Sequence, residues 1–291
     1  MFEYSDPIIV IAGPTASGKS SIAIKLAKDI DGVIINADSR QIYKEISIGT
    51  ARPSKEEMAT IPHYLYGHIS IKENYNIYRY QKDVQRILNK LPKGKVPILV
   101  GGTGLYIDSI IFNYNLSDSN VDLEKREKLN NLSIKELKKL IDPKILKILN
   151  KSDQNNPVRL VRIIEKGEYL DKKGEILKHK YFVVDIEKEI LNKKIEKRVE
   201  EMIDSGLIEE NMKVREKGLD RYTALKIIGY QEFGGYFDKQ KSLNDVKKEI
   251  VKNTKKYAKR QRTWFRKHKH AIWTDNYDSI REESLKLIKT S

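Results

Sequence analysis

The sequence predicts an α/β fold, in which helices flank a parallel sheet that carries a phosphate-binding loop and an all-helical domain is inserted into the chain. Up to Phe112, short apolar runs alternate with segments of helical character, an order typical of parallel sheets. Residues 113–180 are polar and helical in spacing, and a strand-like run follows them. We therefore expect a core domain split into residues 1–112 and 181–291, with a helical insertion at residues 113–180.

The apolar periodicity places the individual elements. Bounded apolar runs predict strands at residues 8–12, 32–36, 96–100 and 181–186. Helical spacing predicts a helix at residues 21–30, three helices in the insertion at 123–129, 134–141 and 158–169, and later helices at 188–204, 207–216, 223–229 and 243–268.

A phosphate-binding loop follows the first predicted strand. The motif G-P-T-A-S-G-K-S matches G-x-x-x-x-G-K-[ST] and leads into the first predicted helix. Its glycines let backbone N–H groups converge on a diphosphate, its lysine adds positive charge, and the hydroxyl of Ser20 can ligate Mg²⁺. The predicted diphosphate-binding residues are Gly13, Pro14, Thr15, Ala16, Ser17, Gly18, Lys19 and Ser20.

Composition excludes several classes of protein. The chain has no cysteine and only five histidines, which argues against disulfides, thiolate zinc sites and transition-metal enzymes and leaves magnesium as the expected metal. No run approaches the roughly 20 apolar residues of a membrane span, and the first strand begins too early for a signal peptide. We expect a cytoplasmic monomer with no membrane partner.

A basic stretch near the end of the sequence indicates a polyanionic partner. The net charge is +15, and residues 252–269 contain nine Lys or Arg residues and no Asp or Glu, interleaved with Tyr257, Trp264 and Phe265. This pattern favours binding to a nucleic-acid backbone. The alternative is a solvated helix whose aromatic side chains pack on the core, and for Trp264 and Phe265 individually we favour core packing.

Two strand ends provide candidate catalytic groups. Asp38 follows the second strand and Thr103 follows the third, within a glycine-rich G-G-T-G segment, and carboxyl ends of parallel strands face the ligand crevice. Asp38 is suited to hold magnesium through water, to accept a proton from a nucleophile, or to cap a helix. Asp185, after the fourth strand, is interpreted as structural.

The phosphate loop alone leaves the reaction open, because hydrolases, kinases and transferases all use it. No Asn-Lys-x-Asp guanine-reading element occurs. The further motifs, however, resemble the tRNA isopentenyltransferase family along nearly the whole chain. The matching residues are 13–20, 37–43 with D-S-R-Q-I-Y, 48–53, 101–106, 158–162, 197–202, 228–232 and 259–266. Residues 63–65 also fall where the family has a substrate-proximal loop.

The resemblance implies a reaction: transfer of the dimethylallyl group from dimethylallyl diphosphate to N6 of the adenosine 3′-adjacent to the anticodon, tRNA position 37, in tRNAs that read codons starting with U. Diphosphate is released. Asp38 would be the general base or hydrogen-bond acceptor, and Thr103 would complete the pocket. Lys19, Arg198 and Mg²⁺ would stabilise the leaving diphosphate. The helical insertion would contact the anticodon stem-loop.

The resemblance also implies the tRNA contacts. They are Asp38, Ser39, Arg40, Gln41, Thr103, Arg126, Val158, Arg159, Leu160, Val161, Arg162, Lys226, Ile227, Ile228, Gly229, Tyr230 and Gln231. The chain lacks the cysteines of the zinc finger found in many eukaryotic members, so it resembles the short bacterial form. Two rivals remain open: a P-loop nucleotide or small-molecule kinase, and a non-catalytic RNA-binding protein with a vestigial loop.

Overall fold

One parallel sheet organises the computed structural model, which describes residues 3–116, 122–167 and 173–290. The sheet has six strands in the order β3-β2-β4-β1-β5-β6, and every pairing is parallel. The strands are β1 Ile8–Ala12, β2 Gly32–Asn36, β3 His63–Tyr64, β4 Val96–Gly101, β5 His179–Val183 and β6 Ile272–Trp273. The predicted fold class is confirmed.

Helices connect and cover these strands. They are α1 Lys19–Asp29, α2 Lys55–Ala59, α3 Ile77–Leu88, α4 Gly104–Ile111, α5 Leu123–Asn130, α6 Ile134–Lys139, α7 Pro143–Ile148, α8 Lys151–Gln154, α9 Pro157–Lys166, α10 Lys188–Asp204, α11 Leu207–Glu216, α12 Gly234–Phe237, α13 Leu243–Phe265 and α14 Tyr277–Lys289. The bounds predicted for α10 and α11 are confirmed. The bounds predicted for β4 and α5 were wrong by one residue, and those for α1, α6, α9, α13 and β5 were wrong by a few residues. Tyr169, the predicted end of α9, lies outside the described residues.

One predicted helix, at residues 223–229, was wrong. Only the 3-10 turn Thr223–Leu225 forms there. Gly229 has φ +93°, a left-handed conformation that ends helical geometry, and its N–H donates to a carboxylate oxygen of Glu232 at 2.9 Å. The segment after the turn is therefore an irregular loop fixed by side chains.

The chain divides into two compact units, one of Met1–Asn113 with Glu175–Ser291 and one of Tyr114–Gly174. Residues 179 and 180, which we had expected in the insertion, belong to β5 because they pair with β1. The assignment of separate roles to the two units stays a prediction.

The core of the first unit lies on both faces of the sheet. Alternate residues of β1 point to opposite faces, Ile8 and Val10 to one and Ile9 and Ile11 to the other, and all four are fully buried. Helices α3, α4 and α13 cover the first face, whereas α1 and α14 cover the second. Burial on both faces explains why the strands are continuous apolar runs without polar alternation.

The second unit has its own small core. It is formed by Leu129, Leu137, Ile141, Leu149, Leu160, Val161 and Ile163. Capping side chains set the helix starts: Ser133 forms a capping box with Glu136, and Asn156 accepts from Arg159 N ahead of the proline at the first position of α9.

Helix α13 carries the basic stretch and is amphipathic. Its start is fixed by a capping box of Ser242 and Asp245, and its inner face includes the fully buried Phe265. Trp264 is partly buried and donates from Nε1 to an oxygen of Asp108 at 3.0 Å. Core packing of the two aromatic side chains is thus confirmed, whereas the basic residues Lys252, Lys256 and Lys259 are exposed.

Asp185 anchors the same helix. Its Oδ1 accepts from Nε and Nη2 of Arg262, at 2.9 and 2.6 Å, and both side chains are largely buried. This charge-assisted pair confirms the structural interpretation of Asp185. Within the described ranges, no helix combines the length and apolar character needed to cross a membrane.

We predict that Phe265→Ala lowers the free energy of unfolding by about 3–5 kcal/mol, because it leaves a cavity between α13 and the sheet. Thr263→Ala, at an exposed position of the same helix, should change it by less than about 1 kcal/mol. Urea unfolding of the full chain measures both values, and equal effects would contradict the anchoring role of Phe265.

Candidate active site

A cavity of about 560 Å³ opens in the first unit, beside the carboxyl ends of β1, β2 and β4. Parallel strands direct their carboxyl ends to one edge, so residues distant in sequence meet there. The predicted site residues that line the cavity are Thr15, Asp38, Ser39, Arg40, Thr103, Arg198, Lys226, Ile227, Ile228, Gly229 and Gln231.

The phosphate loop joins β1 to α1. Gly18 has φ +94°, which suits glycine, and occupies the N-cap position of α1, so the helix begins at Lys19. The first turn of a helix has backbone N–H groups without helical partners, which can bind an anion. The Ser17 hydroxyl is buried and has no hydrogen-bond partner among the described residues. Donors of these types can bind the oxygen atoms of a diphosphate.

Two cations approach this loop. Lys19 Nζ donates to the carbonyl of Pro14 at 3.3 Å, and Arg198 Nη1 donates to Thr15 Oγ1 at 3.4 Å. Burial lowers the pKa of Lys19 to about 8, Asp38 counteracts this by raising it, and Arg198 lowers it further. Burial also lowers the pKa of Arg198. Arg198 is therefore directed at the loop.

Asp38 and Thr103 are held by a network of hydrogen bonds. The Asp38 N–H donates to Asn36 Oδ1 at 2.9 Å, and Asp38 Oδ1 accepts from the N–H of Arg40 at 2.9 Å. Thr103 Oγ1 accepts from the N–H of Ser39 at 3.0 Å. The helix-capping alternative for Asp38 was wrong, because the next helix begins only at Lys55. Its carboxylate instead closes a turn at the cavity.

The glycine-rich segment after β4 lets α13 approach closely. A Cβ atom on Gly102 would lie 2.0 Å from Gln261 Nε2, and one on Gly104 would lie 2.1 Å from Trp264 Cδ1. Such separations would force the side chains of Gln261 and Trp264 to move. These glycines therefore accommodate side chains of α13 as well as leaving the cavity open.

Two site residues on α13 received no specific role from the sequence. Gln261 Oε1 accepts from the N–H of Thr15 at 2.9 Å, and its Nε2 donates to the carbonyl of Gly102 at 3.0 Å. Tyr257 lines the cavity and is hydrogen-bonded to Thr103; burial raises its pKa, and Asp38 raises it further. The sequence feature that could have indicated these two residues is their spacing from Trp264, because it places all three side chains on one face of a helix.

Two of the predicted tRNA contacts in this unit do not line the cavity. Gln41 Nε2 donates to the carbonyls of Thr50 and Ala51, at 3.0 and 2.9 Å. The Tyr230 side chain is buried and its hydroxyl donates to Glu210 Oε1 at 2.5 Å. Their side chains hold the cavity wall instead of facing into it.

The remaining predicted contacts belong to the second unit. Leu160 and Val161 are packed in its core, so their side chains are not available to a ligand, which corrects the sequence prediction. Val158 and Arg162 are exposed. Arg126 is paired with Glu165, donating from Nε at 2.7 Å and from Nη2 at 2.6 Å, and Arg159 is paired with Asp153.

Among the residues that the structure describes, no cluster of three His, Cys, Asp or Glu side chains could hold a metal ion. Side-chain oxygen atoms near the loop that could ligate a metal include the hydroxyl of Ser20 and the carboxylate of Asp38. Such a set is too small for a metal held by protein alone, but it matches magnesium, which is usually bound through few protein groups, water and phosphate oxygens.

Comparisons with known proteins agree with this geometry. The family model described as IPP transferase matches residues 41–268. A tRNA dimethylallyltransferase of Acetivibrio thermocellus is 38% identical over 296 residues, covering 94% of each chain. The structure of the full-length tRNA isopentenylpyrophosphate transferase from Bacillus halodurans aligns with a TM-score of 0.75 at 30% identity, covering 99% of this chain and 98% of that one.

A eukaryotic dimethylallyltransferase acting on tRNA aligns with a TM-score of 0.77 at 27% identity, over 90% of this chain and 70% of that chain. The family model spans most of the present sequence, and the bacterial relative matches nearly all of it. The chain therefore belongs to the IPP transferase family, whose named relatives are tRNA dimethylallyltransferases.

Proposed function

We propose that this protein transfers the dimethylallyl group of dimethylallyl diphosphate to N6 of the adenosine 3′-adjacent to the anticodon of tRNA. One observation carries the proposal: a single cavity is lined by Thr15 of the phosphate loop, Arg198, Asp38 and Thr103. A donor diphosphate and an acceptor amine can meet there. The named relatives support the same reaction.

The phosphate loop would bind the diphosphate as a leaving group. The N–H groups at the start of α1, the buried Ser17 hydroxyl, Lys19 and Arg198 are the donors on this side. Mg²⁺ held by Ser20 and the diphosphate would offset the negative charge that develops as the allylic C–O bond breaks. The two cations already lie at the loop, so little reorganisation is needed.

On the acceptor side, N6 of the adenosine would attack the allylic C1 carbon as the bond from C1 to the diphosphate oxygen breaks. The proton lost from N6 would pass to the Asp38 carboxylate. Thr103, fixed to Ser39, and Tyr257, bonded to Thr103, would hold the adenine edge. Because an exocyclic amine is a poor nucleophile, orientation would contribute much of the rate.

The adenosine has to leave the stacked anticodon loop to reach this cavity. Such extrusion needs a large binding surface. In the first unit we assign tRNA contacts to the exposed basic face of α13 and to the loop that includes Lys226 and Gln231. In the second unit, considered by itself, we assign them to Val158 and Arg162. The first unit would then be the catalytic core, and the helical unit would bind the anticodon stem-loop.

The direct test uses magnesium, labelled dimethylallyl diphosphate and unmodified tRNA. We expect label in RNA with the unaltered protein and at least a 100-fold lower rate with Asp38→Asn, because the substitution removes the proton acceptor. Asp220→Asn, at an exposed position, is the control. ATP turnover without transfer to RNA would assign the protein to the kinases instead.

Diphosphate binding should depend on pH through Lys19. Its pKa of about 8 means that the ammonium is charged below pH 8, and a bound anion raises that pKa. Affinity is therefore full below pH 8 and falls as pH rises. We compare the diphosphate affinity of the unaltered protein with that of Lys19→Met. The ratio of the first to the second should fall about tenfold between about pH 7 and about pH 9.

Calorimetric titration with inorganic diphosphate measures this ratio. Protonation of the diphosphate itself affects both proteins equally and cancels in the ratio. A ratio that does not vary with pH would contradict the titration of Lys19 in this range.

The basic face of α13 should determine the salt dependence of RNA binding. Lys259→Gln with Arg266→Gln removes two exposed charges, so the slope of log affinity against log salt should become shallower by roughly 1.4–1.8. Lys286→Gln with Lys289→Gln on α14 removes the same charge as a control. Fluorescence titration of an anticodon stem-loop at several salt concentrations measures the slope. Equal slopes for both double variants would argue against a specific role of α13.

A further inference from the structure

One wall of the cavity is built from two loops that are distant in sequence. Gly49, Thr50 and Ala51 form one part, and residues 226–229 with Gln231 form the other. Residues 49–51 and 226–230 lie outside the helices and strands, and Gln231 begins the 3-10 turn Gln231–Phe233, so side-chain contacts help to fix both loops. The wall includes the loop that we assign to tRNA and is separate from the phosphate loop.

The Glu210 carboxylate joins these two loops. Located on α11, it accepts hydrogen bonds from the Ser47 N–H at 2.8 Å, the Ile48 N–H at 3.1 Å and the Gly49 N–H at 3.1 Å, and from the hydroxyls of Ser47 at 3.0 Å and Tyr230 at 2.5 Å. Consecutive N–H groups that converge on one carboxylate form charge-assisted bonds, which are stronger than neutral ones.

Close packing makes the junction of these two loops, at residues 47–51 and 226–231, rigid. A Cβ atom on Gly49 would lie 2.6 Å from the ring of Tyr230, and one on Gly229 would lie 3.3 Å from the Gly49 carbonyl oxygen. The neighbouring Asn211 donates from Nδ2 to the Gly229 carbonyl at 3.0 Å. Movement of either loop would therefore displace the other.

The same junction reaches the proposed general base. Thr50 and Ala51 accept, through their carbonyls, the hydrogen bonds donated by Gln41 Nε2. Gln41 follows the turn of Asp38 and Arg40 along the chain, and its own carbonyl accepts from the N–H of Gly67 at 2.9 Å. Hydrogen bonds, joined by short stretches of backbone, thus lead from Glu210 through the loop to the turn that carries Asp38.

We propose that Glu210 is a positioning residue for the acceptor adenosine. It sets the distance between the loop at residues 226–231 and the turn at Asp38, and acts through them without contacting the phosphate loop. Within the described residues, no hydrogen bond of Glu210 reaches residues 13–20. This role rests on the proposed transfer to tRNA.

Glu210→Gln tests whether the hydrogen bonds accepted by Glu210 fix the two loops. A glutamine side chain has a similar shape but only one acceptor oxygen, and its NH₂ group would face backbone N–H donors. The loop can then keep only some of its bonds, and the wall loses its fixed position. Tyr230→Phe is a milder change, because it removes one hydroxyl and keeps the three N–H bonds.

Steady-state transfer to an anticodon stem-loop RNA tests the proposal. We expect Glu210→Gln to raise KM for RNA about tenfold, equivalent to one lost charged hydrogen bond, and to change KM for dimethylallyl diphosphate by less than about twofold. Tyr230→Phe should raise KM for RNA about threefold. Glu209→Gln, the exposed neighbour, should match the unaltered protein.

Binding of inorganic diphosphate, measured by calorimetry, checks that each variant keeps a folded core. If Glu210→Gln loses diphosphate binding, the test depends on Tyr230→Phe instead. An unchanged KM for RNA in Tyr230→Phe then overturns the proposed positioning role of Glu210. Equal increases of both KM values, or the same effect from Glu209→Gln, also overturn it. If the unaltered protein transfers no dimethylallyl group to RNA, both the proposed function and the role of Glu210 are rejected. If it transfers the group normally, the variants test the role of Glu210 alone.

Discussion

The close approach of α13 to the carboxyl ends of β1 and β4 is the constraint on which the site depends. It is possible because Gly102 and Gly104 have no Cβ atom where Gln261 and Trp264 lie. Gln261 then bridges the phosphate loop and the segment that carries Thr103. One helix thus fixes the donor side relative to the acceptor side, and its opposite face presents the basic charges to solvent.

Electrostatics at the cavity favour a polyanion. The Lys19 ammonium is desolvated, and Arg198 lies near it, so the protein without ligand holds two like charges close together. The Asp38 carboxylate partly compensates them. A diphosphate would complete this compensation, and its departure would leave Asp38 near the cations again. The same arrangement therefore favours binding of the diphosphate donor.

Much of the fold follows from local pattern, but the site depends on tertiary contacts. The buried strand Ile8–Ala12 and the phosphate loop were predictable because their periodicity and glycine spacing are local. The two-residue strands β3 and β6 were missed because they are too short for periodicity. Residues 223–229 kept helical spacing, yet the bond between Gly229 and Glu232 fixes a loop. The bridge made by Gln261 and the low pKa of Lys19 depend on packing that the sequence does not show.

The central claim is that one cavity holds the leaving diphosphate and the attacking amine together. A structure of the protein with an unreactive analogue of dimethylallyl diphosphate and an anticodon stem-loop tests this directly. We predict that the diphosphate binds the N–H groups at the start of α1 and that adenosine N6 lies within about 2.6–3.2 Å of the Asp38 carboxylate. A diphosphate bound away from this loop, or an adenosine that remains stacked outside the cavity, would contradict it.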